Sequence, residues 1–138
     1  MPRIIIDAST TLAWLFDEDA SAAHVGNVLE ASDLVAPWLW RLEVTNAILV
    51  RQRRKLLTEA QSFRLLYLID ELAIDLIGEP ATRTATRLAE TARPHQLSAY
   101  DAVYLDLAVR LGLPLFTRDN NLRAAATRIG VKLITQGK

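Results

Sequence analysis

The sequence contains no cysteine, and this excludes disulfide bonds and any zinc site built on cysteine ligands. It also has no apolar stretch of the roughly 18 to 20 residues that a membrane-spanning helix needs. The N-terminal segment is too short and too acidic to read as a signal peptide. We therefore expect a cytoplasmic protein with no membrane partner.

The chain also lacks net charge, because sixteen basic residues balance sixteen acidic ones. Nucleic-acid-binding proteins are usually basic, so binding to a nucleic acid would have to use a local basic patch or a metal ion. A length of 138 residues with 51% hydrophobic residues is typical of one globular unit, and we expect a single domain over residues 1–138.

Short apolar runs alternate with helical patterns along the whole chain. The strand candidates are residues 4–6, 34–36, 74–77, 113–116 and 131–134. Alternation of this kind is typical of α/β folds in which helices connect parallel strands. The sequence therefore predicts a three-layer α/β/α sandwich with a mostly parallel sheet of about five strands.

Residues 98–122 form the unit that carries the functional argument. Ser98 can cap a helix that ends at Gly112, a buried strand follows, and Asp101 and Asp119 lie at the two ends of the unit. A helix that connects parallel strands runs antiparallel to them, so its N-terminus lies over the carboxyl edge of the sheet. We expect Asp101 and Asp119 to meet at that edge, where open α/β sheets bind their ligands.

Two more acidic residues are predicted at the same edge. Asp7 directly follows the first strand, and Glu43 lies in the first turns of the helix after the second strand. Each acid also has a structural explanation, since Asp7, Asp101 and Asp119 can cap helices and Glu43 can pair with surface residues. Crowded carboxylates repel one another unless a cation intervenes, and Mg²⁺ and Mn²⁺ prefer such oxygen ligands. The four together indicate metal-dependent phosphoryl transfer or phosphodiester hydrolysis.

A basic cluster ends the helix that carries Glu43, and it consists of Arg51, Arg53, Arg54 and Lys55. Cations at a helix C-terminus are favourable in themselves because they face the negative end of the helix dipole. The same residues could instead contact the phosphates of a nucleic acid. Both interpretations stay open at the level of the sequence.

Several short stretches carry a family resemblance. They are residues 5–9, Glu43 with Val44 and Asn46, residues 98–105, and residues 115–119. In this order and spacing they resemble the PIN-domain nucleases, in particular the VapC-type toxins of bacterial and archaeal toxin–antitoxin pairs. The resemblance extends over essentially the whole chain, and residues 98–105 with the following turn at 117–119 are its most specific part.

The resemblance implies an endoribonuclease that uses Mg²⁺ or Mn²⁺ and is inhibited by a cognate VapB-type antitoxin. It also implies a homodimer within the toxin–antitoxin complex and a PIN-like fold. The site residues that it assigns are the acids Asp7, Glu43, Asp101 and Asp119, supported by Ser9, Asn46 and Thr117.

The antitoxin contact is assigned to tryptophans near the acidic residues in sequence. Trp14 and Trp38 are predicted to pack against an amphipathic antitoxin segment, since exposed tryptophans commonly anchor interfaces. Ordinary core packing is the alternative for both.

Other classes of α/β protein also place aspartates at strand ends. Receiver domains need an acidic pair near the first strand and a lysine after the last, and neither is present at the expected place. Phosphatases of the haloacid dehalogenase type need a second aspartate two residues after the first, where this chain has Ser9. A non-catalytic interaction module, whose acids only cap helices, remains a further alternative.

Overall fold

A parallel sheet forms the centre of the protein. The computed structural model describes residues 1–17, 21–80 and 82–136. Its strands are β1 (Arg3–Ile6), β2 (Asp33–Pro37), β3 (Ile74–Ile77) and β4 (Leu115–Phe116). They lie in the order β3-β2-β1-β4, and all neighbouring pairs are parallel. All carboxyl ends of these strands therefore lie at one edge.

The predicted fifth strand at residues 131–134 is reduced to a single parallel bridge between Leu133 and Leu115. Leu115 donates its backbone N–H to Lys132 at 2.9 Å, and Ile134 donates to Leu115 at 3.0 Å. The segment thus lies where an edge strand was expected. Because β4 has only two residues, residues 131–134 cannot form a longer ladder with it. The described sheet therefore has four strands rather than five.

Helices cover the sheet in two groups. The first is α1 (Ala8–Phe16), α2 (Ser21–Glu30), α3 (Leu39–Arg53) and α4 (Glu59–Glu71); the second is α5 (Thr84–Ala92), α6 (Ala99–Leu111) and α7 (Asn120–Ile129). Helices pack with others of their own group, and α3 and α6 also contact the sheet. This confirms the predicted three-layer α/β/α architecture. Within the described ranges, no helix is both long enough and apolar enough to cross a bilayer.

The central strand β1 carries the core. Ile4, Ile5 and Ile6 are almost completely buried because β2 and β4 flank the strand and helices cover both faces. Burying each such side chain contributes about 1.5–3 kcal/mol. The core thereby fixes the position of Asp7, which follows β1 directly.

Local sequence signals set the ends of α6. The hydroxyl of Ser98 accepts the N–H of Asp101 at 3.1 Å at its start. Gly112 ends the helix in the left-handed conformation at φ +64°, which glycine adopts without a Cβ penalty. Because α6 leads directly into the start of β4, its first turn lies towards the carboxyl edge of the sheet, as predicted.

Candidate active site

Asp7 is the anchored member of the site. Its side chain is 5% exposed and caps α1 by accepting the N–H of Thr10 at 3.0 Å. The Ser9 hydroxyl donates to both carboxylate oxygens, at 2.7 and 2.9 Å, and the Thr10 hydroxyl lies 3.2 Å from Oδ1. The Thr117 hydroxyl donates to Oδ2. This many donors hold the carboxylate in one orientation.

The pairing of β1 with β4 brings the 115–119 segment to Asp7. Ile6 lies opposite Phe116 in the parallel register, so the residues that follow each strand are neighbours. Thr117 is fully buried, and its hydroxyl accepts the backbone N–H of Asp119 at 3.0 Å. The Ser9 hydroxyl likewise accepts the N–H of Arg118 at 2.9 Å. Both predicted supporting hydroxyls, on Ser9 and Thr117, therefore contact Asp7 and organise the adjacent loop.

Glu43 reaches the site from α3. It is partly buried, and its Oε1 accepts a hydrogen bond of 2.6 Å from the hydroxyl of Tyr104 on α6. Asp101 and Asp119 lie at the N-terminal ends of α6 and α7 and are also partly buried. Asp119 caps α7 through its Oδ1, which accepts the N–H of Leu122 at 2.9 Å. Asp119 is thus a helix cap, as its structural explanation proposed, and it also lies at the acidic edge.

The acids interact electrostatically. Burial raises the pKa of Asp7 above its ordinary value, although the hydrogen bonds from Thr117, Thr10 and Ser9 oppose this shift. The pKa of Glu43 is raised by burial and then by the charges of Asp101 and Asp7. The pKa of Asp101 is raised by burial and by the charge of Asp119. All four predicted acids are therefore connected by mutual repulsion, with Glu43 and Asp101 between the other two.

The acids do not form a closed cage. Among the described residues, no three His, Cys, Asp or Glu side chains lie close enough together to hold a metal ion as they stand. Asp7 is locked by its hydrogen bonds, whereas Glu43, Asp101 and Asp119 retain partial exposure. The arrangement is an open acidic edge with one fixed carboxylate, and its oxygen donors suit a hard divalent cation that keeps several waters.

The remaining predicted site residues are Asn46 on α3 and the basic cluster at the end of that helix. Asn46 is exposed on α3, and within the described residues no hydrogen bond joins it to the four acids. The basic cluster lies at the opposite end of α3, and ten residues of helix place Arg53 about 15 Å from Glu43 along the helix axis. Arg51 is partly buried there, with its guanidinium 3.8 Å from the ring centre of Phe16.

The structure separates the two predicted partner tryptophans. Trp38 is 56% exposed and directly follows β2 at the acidic edge. Trp14 lines a pocket with Met1, Asp33 and Gly26 near the starting ends of the strands, so it does not share a surface with Trp38. The physical reason is the direction of α1, which starts at the acidic edge and runs away from it. The antitoxin contact of Trp14 and Trp38 stays a prediction, and the two side chains would meet an antitoxin at different ends of the sheet.

Sequence reasoning missed Tyr104 and Thr10 as members of the site. Tyr104 lies within a long buried run of α6 and reads as core, and it is indeed only 2% exposed. Thr10 belongs to a run of hydroxyl residues, Ser9 to Thr11, immediately after Asp7. That run after a capping aspartate was the available signal. No comparable signal marked the hydroxyl of Tyr104.

Comparison with known proteins decides the family. The PIN domain family matches this chain over residues 4–128. The chain belongs to the PIN domain family. The predicted family is thereby confirmed.

Relatives of this PIN domain support the same conclusion. Ribonuclease VapC3 of Pyrobaculum aerophilum is 28% identical over 120 residues, which are 87% of this chain and 92% of that protein. A crystal structure from Pyrobaculum aerophilum shares the fold with a TM-score of 0.73 at 23% identity, over 96% of this chain and 83% of the other. A toxin–antitoxin complex from Klebsiella pneumoniae gives a TM-score of 0.66 at 19% identity, over 98% of both chains.

Proposed function

We propose that this PIN domain is an Mg²⁺- or Mn²⁺-dependent endoribonuclease that hydrolyses RNA phosphodiester bonds at Asp7, Glu43, Asp101 and Asp119. The observation that carries the proposal is the closeness of these acids at one edge of the sheet, where burial raises the pKa of Glu43 and Asp101 and the charges of neighbouring acids raise both further. Four helix caps or surface acids that served only stability would not need to be crowded in this way. The name of the Pyrobaculum relative supports ribonuclease activity.

The donor set fits a hard divalent cation. Carboxylate oxygens and water are the ligands that Mg²⁺ and Mn²⁺ prefer, and the acidic edge offers four carboxylates. A bound cation supplies an activated water and positive charge for phosphodiester hydrolysis at neutral pH. Ser9, Thr10 and Thr117 hold Asp7 in place, and Asp101 and Asp119 line the partly exposed side where a phosphate can approach. We assign Asn46 a supporting role at the exposed rim.

The basic cluster is assigned to RNA binding away from the reacting bond. Arg53, Arg54 and Lys55 are exposed at the C-terminal end of α3, about 15 Å along the helix from Glu43. An RNA strand that runs along α3 would meet these cations at the end of the helix that lies away from the four acids. Arg51 belongs to the same cluster in sequence, but its stacking on Phe16 gives it a structural role as well.

We further propose that this nuclease is the toxin of a toxin–antitoxin pair and is neutralised by a cognate VapB-type antitoxin. The support is the name of the Pyrobaculum relative and the fold that this chain shares with the Klebsiella toxin–antitoxin complex. A homodimer within such a complex is part of the proposal. Trp38 is the better candidate for the antitoxin contact because it is exposed at the acidic edge.

Purified, antitoxin-free protein tests the nuclease. We expect endonucleolytic cleavage of RNA with Mg²⁺ or Mn²⁺ and none in excess chelator, with activity restored when the cation is added back. Asp101→Asn should remove activity, whereas Asp70→Asn, a change of an exposed acid on α4, should not. Full activity in chelator would refute metal dependence. Absence of both cation binding and cleavage would favour a non-catalytic interaction module.

A further inference from the structure

One buried hydroxyl links three of the elements that carry the acids. Tyr104 on α6 is 2% exposed, and its hydroxyl donates to Glu43 Oε1 on α3 at 2.6 Å. The backbone of Ala8, at the start of α1 and next to Asp7, lies close enough to the phenol to influence its pKa. The phenol group thus lies between the start of α1, the second turn of α3 and the second turn of α6.

A tyrosine suits this place better than a cation would. The ordinary pKa of a tyrosine hydroxyl is about 10, so the hydroxyl is a neutral donor to Glu43 at neutral pH. Lysine or arginine at this position would neutralise Glu43 and compete with a divalent cation for it. The neutral phenol instead orients the carboxylate through one oxygen while leaving its charge intact.

We propose that Tyr104 is a positioning residue that holds Glu43 in the orientation in which it binds the divalent cation. This inference rests on the proposed function, since it names a residue that acts on the same site. Groups that hydrogen-bond a metal-binding side chain fix its orientation, and their removal typically weakens metal affinity about 10–100-fold. The rotational freedom of a glutamate on a helix is large, so a fixed donor at 2.6 Å has a strong effect on it.

Tyr104→Phe removes the hydroxyl and keeps the ring. We expect calorimetric titration with Mn²⁺ to give an affinity about 10–100-fold weaker than in the parent. With RNA at saturating Mn²⁺, KM should stay the same, because Tyr104 is buried and cannot contact RNA. Tyr67→Phe is the matched control, since this tyrosine is 62% exposed on α4 and should not change either quantity. Unchanged Mn²⁺ affinity in Tyr104→Phe would overturn the inference.

A double-mutant cycle with Glu43→Gln separates positioning from general loss of structure. If Tyr104 acts through the Glu43 carboxylate, adding Tyr104→Phe to Glu43→Gln should cause little further loss of Mn²⁺ affinity. An equal loss in both backgrounds would show that Tyr104 acts elsewhere and would refute the assignment. A parent protein that binds no Mn²⁺ would refute the proposed metal site together with this inference. If the parent binds Mn²⁺ and Tyr104→Phe binds it with the same affinity, only the inference about Tyr104 is refuted.

A measurement on the parent covers the case in which Tyr104→Phe does not fold. The protein contains three tyrosines, so incorporation of 3-fluorotyrosine gives three ¹⁹F resonances, assignable with Tyr67→Phe and Tyr100→Phe. We expect Mg²⁺ to shift the Tyr104 resonance, because its hydroxyl is bonded to a ligand of the cation, and to leave the Tyr67 resonance in place. A Tyr104 resonance that does not move at saturating Mg²⁺ contradicts the proposal.

Discussion

The hydroxyl of Thr117 donates a hydrogen bond to the carboxylate of Asp7, which lies 110 positions earlier in the chain. The contact exists because β1 and β4 are neighbouring parallel strands and both residues directly follow them. The same hydroxyl accepts the N–H of Asp119 at 3.0 Å. Thr117 therefore connects the anchored acid of the site with the backbone of another.

Replacing Thr117 by valine tests this connection. The variant leaves the N–H of Asp119 without its partner, which should cost about 1–3 kcal/mol of unfolding free energy. It also removes the hydrogen bond that lowers the pKa of Asp7, so cleavage should fall. Urea unfolding and an RNA-cleavage assay measure the two effects, and Thr117→Ser should retain most of both properties. A valine variant as stable and active as the parent would show that the hydroxyl has no role.

Asp119→Asn distinguishes a helix cap from a site residue. Asparagine caps helices about as well as aspartate, so the bond from Leu122 N–H should be kept. Removing the charge that raises the pKa of Asp101 should leave the metal-free variant at least as stable as the parent at neutral pH. Cleavage should be lost, and Mn²⁺ should raise the melting temperature less than in the parent. Normal cleavage with an equal gain from Mn²⁺ would make Asp119 only a cap.

The raised pKa values predict how the metal-free protein responds to pH. Because the pKa of Asp101 is higher in the folded than in the unfolded state, the folded protein binds more protons. The contribution of Asp101 to the free energy of unfolding is therefore complete below the ordinary carboxyl pKa of about 4, and it is lost as pH rises through the raised pKa. Asp7 and Glu43 act in the same direction.

A neutral variant isolates this effect from the other carboxylates of the protein. The free energy of unfolding of Asp101→Asn minus that of the parent should increase as pH rises from 4 towards 8 in chelator. Saturating Mg²⁺ should reduce this difference at neutral pH, since the cation offsets the repulsion. The exposed Asp70→Asn control should show no such trend. A pH-independent difference for Asp101→Asn would contradict the raised pKa of Asp101.

The basic cluster predicts a change in salt dependence. If Arg53 contacts a phosphate, Arg53→Ala should weaken RNA binding in chelator and reduce the slope of log K against log salt by about 0.7–0.9. Arg64→Ala, an exposed charge on α4, is the control. Arg51→Ala should instead cost about 0.5–1 kcal/mol of stability, because Arg51 stacks on Phe16. Unchanged slopes would leave the cluster with its helix-terminal role alone.

Trp38 and Trp14 should differ in their response to the antitoxin. Trp38→Ala should weaken antitoxin binding at least about 10-fold, since tryptophan is enriched among the interface hot spots that contribute about 2 kcal/mol or more. Trp14→Phe should not, because Trp14 lies towards the starting ends of the strands. Surface binding measurements with the purified antitoxin decide this. Equal affinities of parent and Trp38→Ala would exclude Trp38 from the interface.

The sequence by itself determined which edge of the sheet Asp7, Asp101 and Asp119 share. Asp7 directly follows a buried apolar strand, and Asp101 and Asp119 flank a helix–strand unit, so parallel topology alone requires them to share one edge. The caps at Ser98 and Gly112 could also be predicted, because they depend only on the residue types at the two ends of the helix. The number of strands was not, because residues 131–134 are apolar enough for a strand but meet a β4 of only two residues.

Only the tertiary structure decided which side chains serve these acids. Trp14 and the basic cluster are close to acids in sequence, but helix direction carries them away from the edge by about 1.5 Å per residue. Tyr104 reads as an ordinary core residue, and its contact with Glu43 depends on how α3 and α6 pack against each other. Such packing follows from the fit of many buried side chains at once, whereas the position of an acid after a strand follows from the order of the chain.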